Sequence, residues 1–144
     1  VRYLLDTNVV RELQKGAGAH ANVRAWFATV NEADLRLSVM TILEARKGWE
    51  RIAARDQERA VRGIAELEVL CEAYRGRILA IDESVAKEWG RLRGQKEKHQ
   101  EDMAFAATAR VHGLVLVTRN EADFRGRGVR ILNPFKLPPS VVEV

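Results

Sequence analysis

Along this chain the apolar positions switch repeatedly between a short-run pattern and a helical one. Val1 to Leu5 is a short apolar run closed by Asp6, and it predicts a strand. From about Val23 to Val30, the residues Val23, Trp26, Phe27 and Val30 recur at helical spacing. Leu35 to Val39 predicts a second strand, and Thr41 to Ala54 a helix with Ile42, Leu43, Trp49 and Ile52 on its apolar side. A longer helix is predicted from about Gln57 to Tyr74, its buried side marked by Val61, Ile64, Leu67, Val69 and Leu70, until Gly76 breaks the pattern. Ile78 to Ile81 predicts a third strand. Asp82 is placed as the N-cap of a helix running through Trp89 and Leu92. Met103 to His112 is helical and stopped by Gly113 at the C′ position. Leu114 to Val117 is wholly apolar, as a parallel strand covered on both faces should be. Gly128 to Leu132 supplies a last short strand before Pro134, Pro138 and Pro139 close the chain.

No internal repeat, low-complexity tract or linker interrupts this alternation, and 144 residues fit one domain, residues 1–144. Alternating strands and helices point to an α/β fold, a parallel sheet with helices on both faces. In such folds functional groups gather at the carboxyl ends of the strands.

At those ends the sequence is rich in acids and amides. Asp6 ends the first strand within Leu4-Leu5-Asp6-Thr7-Asn8. A carboxylate placed directly after a buried strand needs a partner, because an ionised group in apolar surroundings is costly. Glu44 lies in the first turns of the helix after the second strand, following Ser38 and Thr41. Asp102 opens the helix Asp102-Met103-Ala104-Phe105-Ala106-Ala107-Thr108-Ala109, where the helix dipole favours negative charge. Thr118-Arg119-Asn120 leaves the fourth strand, with Asp123 just beyond. Singly, each acid has a plainer role: Asp6 a turn residue, Glu44 a solvated helix charge, Asp102 an N-cap. Jointly they fall at one edge of the predicted sheet. Carboxylates crowded there repel one another unless a cation holds them, and an oxygen-rich site without Cys or His suits Mg²⁺ or Mn²⁺. His20, His99 and His112 lack a paired metal-ligand spacing and are placed at the surface or at caps, so zinc is not expected.

Composition changes this picture little. Lys and Arg number 24 against 20 Asp and Glu, a net charge of +4 spread along the chain. That excess tolerates a phosphate-rich partner, but on charge alone a mixed solvated surface is the favoured reading. The apolar runs are too short to cross a bilayer, and no basic–apolar–small leader opens the sequence. The single cysteine, Cys71, has no partner for an internal disulfide; the expected compartment is the cytoplasm.

The segments Leu4-Leu5-Asp6-Thr7-Asn8, Ser38–Thr41–Glu44, Asp102 with its Ala-Ala-Thr helix, Thr118-Arg119-Asn120 with Asp123-Phe124, and the closing Asn133-Pro134-Phe135 together resemble the PIN-domain signature. They are most similar to the VapC-like toxins, especially the FitB-like branch, and the likeness extends in order over nearly the whole chain. The resemblance implies a three-layer α/β/α fold with a central, mostly parallel sheet of four to five strands. It also implies a homodimer, Mg²⁺- or Mn²⁺-dependent cleavage of RNA, and a small antitoxin whose C-terminal segment blocks the acidic pocket. Carried over residue by residue, Asp6, Glu44 and Asp102 become the acidic core and the metal ligands. Two positions depart from the pattern: Asn120 stands where many relatives have Asp, and Arg11 replaces a small or polar residue.

The reaction this implies is hydrolysis of an RNA phosphodiester, with Thr7, Asn8 and Thr118 orienting waters or carboxylates. Arg119, Arg46 and Lys47 are candidates for phosphate contact, although an ordinary surface charge is the plainer reading of each. Asp123 either restores the charge missing at Asn120 or caps a short turn. A haloacid-dehalogenase-type phosphatase also begins with a strand and an Asp, but it wants a second acid where Asn8 stands, and no late paired-Asp segment follows. A PIN-like scaffold that binds RNA or protein without cutting is the remaining alternative, left open by Asn120. Trp26, Trp49 and Trp89, with the helices between Thr41 and Tyr74, offer core packing first and, with the resemblance, a dimer or antitoxin surface.

Overall fold

The computed structural model describes residues 1–93 and 100–144, and His99 lies outside them. One six-stranded sheet runs in the order β3-β2-β1-β4-β5-β6, with β1 Tyr3–Leu5, β2 Leu35–Ser38, β3 Ile78–Leu79, β4 Val115–Val117, β5 Arg130–Leu132 and β6 Val141–Glu143. All neighbours pair in parallel except β5 and β6, which are antiparallel. The helices are α1 Thr7–Leu13, α2 Ala21–Thr29, α3 Val39–Ala53, α4 Gln57–Ala73, α5 Glu83–Arg93 and α6 Gln100–His112. No helix of the described residues is long and apolar enough to cross a membrane.

Strand side chains alternate between two cores, one on each face of the sheet. Leu4, Leu116 and Ile131 face one core, with Val85 of α5 and Phe105 of α6. Leu5, Val117 and Leu132 face the other, with Val9 and Val10 of α1 and Trp26 of α2. The result is a three-layer α/β/α arrangement, and it explains why β4 is apolar throughout: Val115, Leu116 and Val117 are all fully buried.

Local chemistry sets the boundaries. Ser38 caps α3, its Oγ accepting from the Met40 amide at 3.0 Å, so β2 ends there and Val39 already belongs to the helix. Asp82 caps α5 by accepting from Val85 N–H at 3.0 Å. His20 caps α2 through Nδ1, and His112 is exposed in the last turn of α6. At the end of α6, Gly113 takes φ 65°, Leu114 N–H bonds the Ala109 carbonyl at 2.8 Å, and the chain reverses into β4. That reversal makes α6 antiparallel to β4, which carries the first turn of α6 back over the carboxyl edge of the sheet.

The structure departs from the sequence-based expectations in four places. Helix α1 follows β1 at once, because Asp6 caps it and Val9 and Val10 bury against the sheet. On α3, Leu43 is exposed, and on α4, Val61 and Val69 are exposed; the buried stripe of α4 is Ala60, Gly63 and Leu67. At Gly63 the stripe must be small because α4 lies close against α3: a Cβ there would overlap the indole of Trp49. Helix α6 begins at Gln100, so Asp102 sits within its first turn instead of opening it. Finally, the sheet has six strands and not four to five, since the chain returns after its prolines as β6, whose exposed valines carry no burial signal. Trp26 is core, meeting Tyr3 edge-on at 5.5 Å, and Trp89 packs partly buried on the α5–α6 core.

Candidate active site

β1 and β4 are neighbours, yet their continuations leave on opposite sides of the sheet. After β1 the chain enters α1 on one face; after β4 it buries Phe124 in the core of the other. A crevice opens at such a reversal of strand order, outside the carboxyl ends. Asp6 stands at its floor, only 5% exposed. Its Oδ1 accepts from the Thr7 amide at 2.7 Å, while its Oδ2 accepts from Thr118 Oγ1 at 2.8 Å and from Asn8 Nδ2 at 3.4 Å. Burial pushes the Asp6 carboxyl above its ordinary pKa, against the lowering effect of the Thr118 and Thr7 hydrogen bonds; the Asp123 charge raises it further and Arg11 offsets part of this.

Glu44 enters from α3, half-buried, one helical turn beyond Thr41. Thr41 Oγ1 and Thr7 Oγ1 lie 2.9 Å apart, and the Thr7 hydroxyl lies near enough to Glu44 to act on its carboxyl. Desolvation raises the Glu44 pKa, opposed by the Thr7 hydroxyl and reinforced by the charges of Glu101 and Asp6. Glu101 was not anticipated from the sequence. It occupies the first turn of α6 and its charge acts on Glu44; its only sequence signal is its place beside Asp102. Asp102 follows it, half-buried, at the same carboxyl edge.

On leaving β4, Thr118 is fully buried and Arg119 and Asn120 are exposed. Asn120 N–H donates to Thr118 Oγ1 at 3.1 Å, and no side-chain bond from Asn120 caps the 3-10 turn Glu121–Phe124 that follows. Asp123 lies half-buried within that turn, close enough for its charge to act on Asp6. Arg46 is bonded to Glu50 at 3.0 Å on the exposed side of α3, and Lys47 is exposed beside it. A cavity of about 270 Å³ runs from Thr7, Arg11, Thr41 and Glu44 along the α3–α4 pair to Trp49 and Leu67, so the acidic crevice opens into an apolar groove.

Asp6, Glu44, Asp123 and Glu101 are thus coupled electrostatically, and hydroxyls of Thr7, Thr41 and Thr118 thread between them. Among the described residues no three acids or histidines are close enough to form a ready-made cation cage. The donor chemistry nonetheless fits a hard divalent cation. It is all oxygen, and burial first, then neighbouring carboxylates, raise the pKa of Asp6 and Glu44, a penalty that bound positive charge would reduce.

The model of the PIN domain family matches residues 3–128. The chain is 31% identical over 137 residues to the toxin FitB of Neisseria gonorrhoeae, covering 92% of this chain and 97% of that protein. It is 33% identical over 138 residues to the VapC ribonuclease Y4jK of Sinorhizobium fredii, with the same coverage of 92% and 97%. The crystal structure of FitAcB from N. gonorrhoeae superposes with a TM-score of 0.79 at 30% identity, covering 92% of this chain and 98% of that one. An acidic crevice at the β1–β4 reversal, a three-layer fold and these likenesses over nearly the full length agree, and the chain belongs to the PIN-domain family.

Proposed function

We propose that this chain is a Mg²⁺- or Mn²⁺-dependent endoribonuclease, the toxin of a toxin–antitoxin pair, acting in the cytoplasm as one PIN domain. The observation that carries this reading is the meeting of Asp6 and Glu44 through Thr7, with Asp123 and Glu101 acting on them from two other elements. Relatives named as a toxin and as a ribonuclease support it.

Asp6, Glu44 and Asp102 would hold the ion. When bound, it supplies Lewis-acid activation of water and neutralises charge on the phosphate oxygens. The chain's own residues prepare that site. Thr7 and Thr118 hold Asp6 in one orientation, and the Thr7 hydroxyl lies beside Glu44. Asp123 takes the fourth acidic place, in preference to exposed Asn120. Arg46 is already paired with Glu50, which leaves Arg119 and Lys47 to meet phosphate.

The functional assembly is a homodimer neutralised by a small antitoxin protein. Leu43, Val61 and Val69 leave apolar side chains on the outer faces of α3 and α4, and such exposed residues suit a protein partner. The decisive experiment is cleavage of RNA by the purified chain in Mg²⁺ or Mn²⁺, with Asp6→Asn as control. Equal cleavage by the variant, or full activity after removal of all divalent metal, would overturn the site. Light scattering that finds only monomer at micromolar concentration would remove the dimer, and failure of the neighbouring gene product to co-purify would remove the antitoxin.

A further inference from the structure

Arg119 directly follows Thr118, so the strand end that holds Asp6 also sets its position. Its guanidinium lies 4.5 Å from the centroid of the Phe135 ring. Both halves of this stack are tied down. Phe135 N–H donates to Asn133 Oδ1 at 2.9 Å, its carbonyl accepts from Asn22 Nδ2 at 2.8 Å, and the His20 ring meets it edge-on at 5.3 Å. Asn133 Nδ2 also donates to the Arg119 carbonyl at 3.4 Å, and Arg119 N–H reaches Asn8 Oδ1 at 3.5 Å. Asn8 in turn donates to Asp6. A short chain of hydrogen bonds therefore connects the stack to the floor of the acidic crevice.

Most arginines with fixed guanidiniums in this structure bond oxygens of the protein: Arg46 and Arg75 hold carboxylates, Arg77 and Arg130 hold carbonyls. Arg119 differs. It is exposed and its guanidinium makes no ion pair among the described residues. An exposed cation–π contact contributes little against the entropy of fixing a long side chain. What the arrangement does provide is a planar cationic group over an aromatic ring, exposed at the rim of the crevice. Unpaired RNA bases stack on aromatic rings and on guanidinium planes, whereas bases in a duplex are not available to do so.

We infer that Arg119, held over the Phe135 ring, is a stacking platform for an unpaired base of single-stranded RNA next to the scissile phosphate. The inference rests on the RNA-cleavage reading above, and it makes the substrate locally single-stranded. Arg119 gives the base a planar face and the strand a positive charge, while Phe135, Asn133 and His20 position it.

The test is binding of a short single-stranded ribo-oligonucleotide to full-length protein in the Asp6→Asn background, followed by fluorescence anisotropy. Arg119→Lys keeps the charge and removes the plane, without touching the partly buried Phe135. It is expected to weaken binding by about tenfold, within the range for loss of one stacked base. A set of oligonucleotides with one abasic residue moved along the strand supplies the second arm. At one position the abasic residue should weaken binding to the Arg119 protein by a similar factor and have little further effect on Arg119→Lys. If Arg119→Lys binds as tightly as its parent, or if every abasic residue costs both proteins equally, the platform is overturned. Metal-dependent cleavage that survives alongside that result leaves the nuclease reading intact. RNA binding with the expected coupling, when the protein with Asp6 intact never cleaves in Mg²⁺ or Mn²⁺, would sink the nuclease reading and keep the base platform.

Discussion

Thr118 Oγ1 donates to Asp6 Oδ2 at 2.8 Å and so joins the carboxyl ends of β4 and β1 across 112 residues of sequence. The same hydroxyl oxygen accepts the Asn120 amide at 3.1 Å, which leaves its single proton directed at Asp6. One buried hydroxyl therefore holds both the central carboxylate and the loop that carries Arg119.

Thr118→Val keeps the shape and deletes that proton. The bond is one of the forces holding down the Asp6 pKa, so its loss should move the acidic limb of the cleavage profile to higher pH. Stability at neutral pH should fall by about 1–3 kcal/mol, the effect of stranding a buried charged acceptor. Thr118→Ser should restore both. A pH–rate profile identical to the parent's would show that the bond does not tune Asp6.

Asp6→Asn should abolish cleavage and at the same time stabilise the metal-free protein at pH 7. Burial raises the folded pKa of Asp6 above 3.8, so the folded state binds the proton more tightly than the unfolded chain. Stability is then lost as pH rises through the folded pKa, and the full penalty persists above it. The gain from the amide should accordingly shrink as pH is lowered below 3.8, where Asp6 is neutral in both states. Added Mn²⁺ should raise the melting temperature of the parent much more than that of the variant. Equal melting temperatures at pH 7 in metal-free buffer would contradict this.

Asp123 and Asn120 make opposite predictions. Asp123 raises the Asp6 pKa by its charge, so Asp123→Asn should lower it and shift the acidic limb to lower pH. The same change should increase the Mn²⁺ concentration needed for half-maximal cleavage, and Asn120→Asp should decrease it. A residue that merely caps the 3-10 turn would, when lost, reduce stability by about 1 kcal/mol and leave the metal titration unchanged.

Gly63→Ala tests the α3–α4 contact that forms the wall of the groove. The added Cβ would overlap the Trp49 indole, so the helices must separate or the ring must turn. Overpacking of this kind costs about 1–3 kcal/mol, readable as a fall in the urea midpoint. Gly48→Ala, where a Cβ meets open space, should be neutral or slightly stabilising. Similar midpoints for the two variants would refute the close contact.

Much of this molecule is legible without coordinates, because the forces that mark its elements act over a few residues. The cap at Asp82 and the left-handed stop at Gly113 each satisfy amides or carbonyls within one helical turn. The apolar run of β4 announces a strand buried on both faces, and Asp6 and Thr118 announce strand ends. Those features carry the fold and the resemblance that accompanies it.

What the sequence by itself left undecided concerns residues that meet only when strands take their order. Nothing local distinguishes Val61 and Val69 from Leu67, because which face of α4 is covered depends on how closely α3 approaches through Gly63 and Trp49. Edge strand β6 is set by pairing with β5, since its exposed valines carry no periodic burial signal. Glu101 is an ordinary charge in sequence, and Asp123 could there be either a site acid or a cap; only the antiparallel course of α6 along β4, and the turn after β4, bring the charge of one to Glu44 and of the other to Asp6. Electrostatic coupling depends on distance through space, and hydrophobic periodicity does not encode the long-range pairing that sets that distance.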